Sequence, residues 1–137
     1  QRQALDCVYR HLETGGRFVF NAFDPLQEIA RNGFTLPVRK DSDFIDRITG
    51  HTISAYFSRQ YDPELQVLEQ EFVFEEFNLS GESKRRWSNL LLLRWTPHGE
   101  MIHLLERSGF QVDALYGDFS GGPYVGYGEQ IWVATKA

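Results

Sequence analysis

Apolar residues return at helical spacing at the start of the chain, at Ala4, Leu5, Val8 and Leu12, which predicts a helix over residues 1–13. Glu13-Thr14-Gly15-Gly16 supplies its stop near Thr14, because glycine enters the left-handed region without a Cβ clash. The next run, Phe18-Val19-Phe20-Asn21-Ala22-Phe23, is continuous rather than alternating. That suits a strand covered on both faces inside an α/β sheet, with Asn21 as its polar exception. Asp24-Pro25-Leu26-Gln27 then combines a carboxylate cap, a proline in the first turn and a glutamine at the box position, so a short helix is expected up to Gly33. Residues 36–46 show no readable period and are expected to form a loop, with a single helical turn at most around residues 43–46.

Over residues 51–95 the period changes to two, in three runs separated by Tyr61-Asp62-Pro63-Glu64 and Asn78-Leu79-Ser80-Gly81-Glu82. Both separators are hairpin chemistry, and the segment reads as a three-stranded antiparallel meander. Its middle run sets Leu68, Phe72, Phe74 and Glu76 on one face and Glu69, Glu71, Val73 and Glu75 on the other, so one side is expected to be wet. Thr96-Pro97 is placed to cap the next helix, whose stripe is Met101, Leu104 and Leu105 and whose end is Gly109-Phe110. Residues 111–116 and 130–135 follow as strands, joined by a loop rich in glycine and aromatic residues. The first strand and these two are expected to share one sheet, with the last strand in the middle and antiparallel to both neighbours.

The length of 137 residues fits one domain, with no repeat or low-complexity linker to divide it. The helix over residues 1–13 has no cap or turn before it, so the chain is read as the C-terminal part of something larger. Fourteen basic residues against 19 acidic ones, with no basic run beyond Lys84-Arg85-Arg86, offer little to a phosphate backbone, and nucleic acid is not expected as a ligand. Cys7 is the only cysteine, so no disulfide forms within the chain and a reducing, cytoplasmic compartment is expected, with Cys7 as a packed thiol. No apolar run approaches the ~18 residues of a membrane span. The four histidines are scattered without metal spacing, and no metal is expected.

Candidate chemistry is sparse. Asn21 and Asp24 sit at or just past the carboxyl end of the first strand, where open α/β sheets gather ligands, although Asp24 is also the natural cap of the helix that follows. Tyr116, Asp118, Tyr124 and Tyr127 are placed to line a pocket mouth, since a phenol offers an apolar face and a polar tip. Arg94 beside Trp95 presents a fork of donors suited to a carboxylate or phosphate of a substrate. The glutamates of the meander read as solvated groups that resist edge pairing, not as a paired-carboxylate site. No nucleophile elbow supports hydrolase chemistry.

Taken together, residues 12–20, Glu100-Met101 with Leu104-Leu105, Ser108-Gly109-Phe110-Gln111-Val112, Tyr116-Gly117-Asp118-Phe119 and Ile131-Trp132-Val133-Ala134-Thr135-Lys136 carry a resemblance. The chain resembles the C-terminal part of a class I S-adenosylmethionine-dependent methyltransferase, from the helix before the family's fifth strand to its end. The segment 51–95 is similar to the insertion of the small-molecule branch that includes amino-sugar N-methyltransferases, which uses it as a lid or a dimer surface.

The resemblance implies an α/β fold with the last three strands of a Rossmann-like methyltransferase sheet plus the inserted meander. It also implies an intact protein that moves a methyl group from S-adenosylmethionine to an amine or hydroxyl of a small molecule, this chain being the substrate-side portion. Asn21, Asp24, Arg94, Trp95 and Tyr124 are the substrate-binding candidates, and no catalytic base is assigned. The family's glycine-rich turn and its acidic ribose partner are not in these residues, and the cluster from Gly121 to Gly128 joins two strands instead of opening a helix. No cofactor is therefore expected to bind this chain alone. The alternative is a non-catalytic small-ligand-binding or dimerisation module of α+β type. On the fragment reading a homodimer is expected, through the free edge of the strand at residues 17–23 with help from the meander.

Overall fold

Three strands distant in sequence make one sheet in the computed structural model, which describes residues 1–137: β1 (Arg17–Asp24), β6 (Phe110–Tyr116) and β7 (Gly128–Lys136). Their order is β1-β7-β6, and β7 runs antiparallel to both neighbours, as the sequence led us to expect. Register sets Phe18 opposite Ala134 and Phe20 opposite Trp132, while Val112 and Leu115 face the same two residues from β6. Helices α1 (Arg2–His11) and α3 (His98–Arg107) bury Leu5, Met101 and Leu105 against this face, with Phe110, Trp132 and Ala134 completing the core. Leu105 and Trp132 are fully buried, and a Leu so placed contributes about 1.5–3 kcal/mol.

The other face of β1 is open. Val19, Asn21 and Phe23 are exposed, so the continuous apolar run is covered on one side only, because both helices pack on the even-numbered face. Helix α1 also ends earlier than expected. Leu12 leaves it in an extended conformation with its side chain against the core, and Gly15, at φ 78°, serves the turn that follows. The Lys136 ammonium donates to the Tyr9 and Leu12 carbonyls at 2.8 Å each, satisfying groups that the helix end leaves without partners. Thr96 does not cap α3. It is buried with its hydroxyl accepting from Gln1 Nε2, and Pro97 holds the cap position instead, with no side-chain bond.

Residues 31–94 form a second compact unit, a sheet of four strands rather than three, in the order β2-β3-β4-β5. Strands β3 (Thr52–Asp62), β4 (Val67–Phe77) and β5 (Ser83–Arg94) are the expected meander. The hairpin turns close on side-chain oxygens: Asp62 Oδ1 accepts from the Glu64 and Leu65 amides, and Asn78 Oδ1 from those of Ser80 and Glu82. The segment expected to be loop is β2 (Thr35–Ile45), paired antiparallel with β3. It is an edge strand with two register shifts, and only Leu36 is buried, so backbone pairing and not side-chain burial holds it. Between β1 and β2 lies α2 (Leu26–Asn32), after which Gly33 adopts φ 73°.

Strand β4 is internal, so its glutamates do not guard an edge. Glu76 is buried, accepting from Arg85 Nε at 2.5 Å, with His51 Nδ1 2.6 Å from its other oxygen. The same Arg85 lies 4.6 Å from the Trp87 ring centroid, and Trp87 stacks on Phe74 at 5.4 Å. One face of the sheet thus carries an aromatic row that ends in a fixed charge cluster.

Candidate functional site: a buried polar cluster at the end of β1

The last residue of β1 points to the helix-covered face, and there it meets β7 and the loop before it. Asp24 is buried, and its Oδ1 accepts the Leu26 amide at 3.0 Å, which fixes the start of α2. Its Oδ2 lies 3.4 Å from both the Tyr124 hydroxyl and Gln130 Nε2. Gln130, also fully buried, reaches the Thr96 carbonyl and the Tyr124 hydroxyl at the same 3.4 Å, and its Oε1 accepts from Trp132 Nε1 at 3.0 Å. Every hydrogen bond to Asp24 thus comes from a neutral donor.

The contacts at 3.4 Å are longer than the 2.7–3.2 Å of a strong N–H···O bond. A loosely satisfied buried carboxylate retains attraction for a further donor. Tyr124 is the member at the rim: it is partly exposed, and its ring lies 5.5 Å from that of exposed His98. Burial pushes its phenol above the ordinary value of 10.0; the Gln130 hydrogen bond opposes this and the Asp24 charge adds to it. At neutral pH Tyr124 is therefore a protonated donor and acceptor.

Of the five residues expected to bind substrate, the structure brings Asp24 and Tyr124 together. Asn21 is exposed on the opposite sheet face, donating to Glu129 Oε1 at 2.7 Å, because alternation along β1 sends positions 21 and 24 to different sides. Arg94 ends β5 in the four-stranded unit and donates to Gln66 Oε1 at 3.1 Å. Trp95 is buried in the other unit. Among the further rim candidates, Asp118 is turned inward, accepting the Ser120 and Gly122 amides at 2.7 and 2.9 Å, while Tyr116 and Tyr127 are exposed. With that carboxylate inside it, the glycine loop is no phosphate cradle.

Gln130 and Thr96 are the members that sequence reasoning missed. The signal for Gln130 was one amide just before the apolar run Ile131-Trp132-Val133-Ala134. Cys7, expected to be packed, is exposed on α1 with its Sγ 3.8 Å from His11 Nδ1. No helix is long and apolar enough to cross a membrane.

No family model matches the chain, and no curated protein matches it in sequence. Solved structures do match. Ninety-nine per cent of the chain superposes on 52% of the CcbJ methyltransferase from Streptomyces caelestis, with a TM-score of 0.76 and 16% identity. An S-adenosylmethionine-dependent methyltransferase from Clostridium acetobutylicum is matched over 98% of this chain and 50% of its own, at TM-score 0.75 and 12% identity. An amino pentose methyltransferase from Micromonospora echinaspora, solved with S-adenosylmethionine bound, is matched over 99% and 50%, at TM-score 0.67 and 20% identity. The fold is that of the C-terminal half of such methyltransferases, and the chain spans about half the length of the solved structures it matches.

Proposed function

We propose that this chain is the substrate-side half of an S-adenosylmethionine-dependent methyltransferase acting on a small molecule, and that the Asp24–Tyr124–Gln130 cluster faces the methyl acceptor. The observation that carries the reading is the superposition of nearly the whole chain on one half of several methyltransferases, with a buried carboxylate at the carboxyl end of β1. Ligands of open α/β sheets collect at that edge.

The acceptor is a small molecule presenting an amine or a hydroxyl. An amine is favoured by the neighbours described as amino pentose and sugar N-methyltransferases, and by a buried carboxylate whose hydrogen-bond donors are all neutral. Methyl transfer requires chiefly that the nucleophile be held in line with the methyl carbon. In this chain Tyr124 supplies the orienting hydrogen bond at the rim, and Asp24 with Gln130 fixes where its hydroxyl points. S-adenosylmethionine belongs to the intact protein, where residues outside this chain hold it. A cytoplasmic location accords with the single exposed thiol.

The test is transfer of labelled methyl from S-adenosylmethionine by the intact protein to a panel of small amines and alcohols, with Tyr124→Phe beside the unaltered protein. Turnover on an amine that falls in the variant while S-adenosylmethionine affinity is kept supports the reading. An intact protein that neither binds S-adenosylmethionine nor methylates any member of the panel overturns it.

A further inference from the structure

Helix α3 begins at the edge of the sheet where β1 ends. Strands β1 and β6 both run antiparallel to β7 and therefore parallel to each other. Helix α3 packs along this sheet and turns through Ser108-Gly109 into β6, so its first residue lies at the far end of that strand, level with Asp24. The Thr96 carbonyl, 3.4 Å from Gln130 Nε2, ties the chain two places before His98 to the buried cluster. His98 is exposed there, its ring centroid 5.5 Å from that of Tyr124 and the two planes inclined at 57°.

The four histidines are engaged differently. His11 Nδ1 lies 2.8 Å from the Cys7 carbonyl, His51 Nδ1 2.6 Å from Glu76 Oε1 and His103 Nδ1 3.6 Å from Glu106 Oε2. His98 has only its ring contact with Tyr124, and both of its nitrogens are open to a ligand. The other two polar groups here are poorly suited to receive a proton. Asp24 attracts a cation but is buried with both oxygens in hydrogen bonds, so it has no route for passing a proton on to water. Burial keeps the Tyr124 phenol protonated at neutral pH. Imidazole is the side chain that ordinarily exchanges protons near neutral pH.

We propose that His98 is the general base that takes a proton from the amine held at Tyr124. The inference rests on the methyltransferase reading given above. A small amine carries an extra proton at neutral pH, as a lysine ammonium does, and its nitrogen then has no electron pair to donate. When a His98 nitrogen takes one proton, the electrons of that N–H bond stay on the amine. That pair forms the new N–C bond as the C–S bond of S-adenosylmethionine breaks with its electrons going to sulfur. The product leaves as a methylated ammonium, and the imidazolium returns its proton to water at the exposed rim. Rings with centroids 5.5 Å apart are spanned by one small acceptor, so a single molecule can meet both residues.

The test uses the intact protein, the amine of highest turnover in the panel above, and the variants His98→Phe and His98→Ala. Near neutral pH kcat is expected to fall about 100-fold in both, with S-adenosylmethionine affinity kept. Phenylalanine preserves a ring beside Tyr124, so a histidine that merely packs would leave kcat unchanged in His98→Phe. Added imidazole is expected to restore part of the turnover of His98→Ala. Raising the pH toward the amine's own pKa should narrow the gap, because the acceptor then arrives without its extra proton. With S-adenosylmethionine withheld, the imidazole proton resonance that disappears in His98→Phe is expected to shift when the amine is added. Full turnover by His98→Phe, no rescue by imidazole, or an unmoved resonance would overturn this proposal and leave the methyltransferase reading in place. An intact protein that methylates nothing in the panel would overturn both.

Discussion

The hydroxyl of Tyr124 and Oδ2 of Asp24, 100 residues apart in sequence, lie 3.4 Å apart at the carboxyl end of β1. The carboxylate is buried whereas the phenol is at the rim. Replacing Asp24 by Ala removes the acceptor for the Leu26 amide and leaves Gln130 Nε2 and the Tyr124 hydroxyl short of a partner. The expected loss, read from urea unfolding, is about 1–3 kcal/mol. Tyr124→Phe leaves the Leu26 bond in place and is expected to cost about 0.5–1.5 kcal/mol.

The Tyr124 phenol should titrate above the ordinary tyrosine value of 10.0. Its folded-state pKa is raised, chiefly by burial, so the associated stability is complete below pH 10.0 and declines as pH rises through the folded value. Ultraviolet difference titration should show a tyrosine step above pH 10.0 in the unaltered chain that Tyr124→Phe lacks.

Glu76 works in the opposite direction. The His51 hydrogen bond, and after it that of Arg85, hold its carboxyl below the ordinary value of 4.5. Stability from this cluster is therefore present above pH 4.5 and lost as pH falls through the lower folded-state value. Urea midpoints measured across that acid range should fall for the unaltered chain, and Glu76→Gln should remove this part of the slope.

Gly109 joins α3 to β6 at φ 87°, and a Cβ there would lie 2.7 Å from Cε2 of the Tyr9 ring. Gly109→Ala combines left-handed strain with displacement of a ring packed on Phe110, and is expected to cost about 1–3 kcal/mol by thermal or urea unfolding. Gly99→Ala, where a Cβ meets nothing within 4 Å, is the contrasting variant and should be close to neutral.

Which parts of this structure were legible follows from what each residue must do. The meander was readable because Asp62, Asn78 and Gly81, at φ 80°, make turns only a few residue types can make. Strand β2 was not: Pro37 and the Arg39-to-Asp43 charges erase any period, since an edge strand held by its backbone imposes no pattern on its side chains. Asn21 and Asp24 looked like neighbours, three places apart, yet the pleat sends them to opposite faces. Asp24 was legible as a helix cap, and the cap proved to be one oxygen of two. The role of its second oxygen depends on Gln130 and Tyr124, whose approach is set by the β1–β7 register and by no local motif.

Calorimetric titration of S-adenosylmethionine into this chain and into the intact protein tests the central claim most directly. No glycine-rich turn that opens a helix is among these residues, so on the proposed reading the chain alone is expected to bind weakly or not at all and the intact protein at micromolar concentration or tighter. Micromolar binding by the chain alone, or no binding by the intact protein, would contradict the assignment of this chain as the substrate-side half of a methyltransferase.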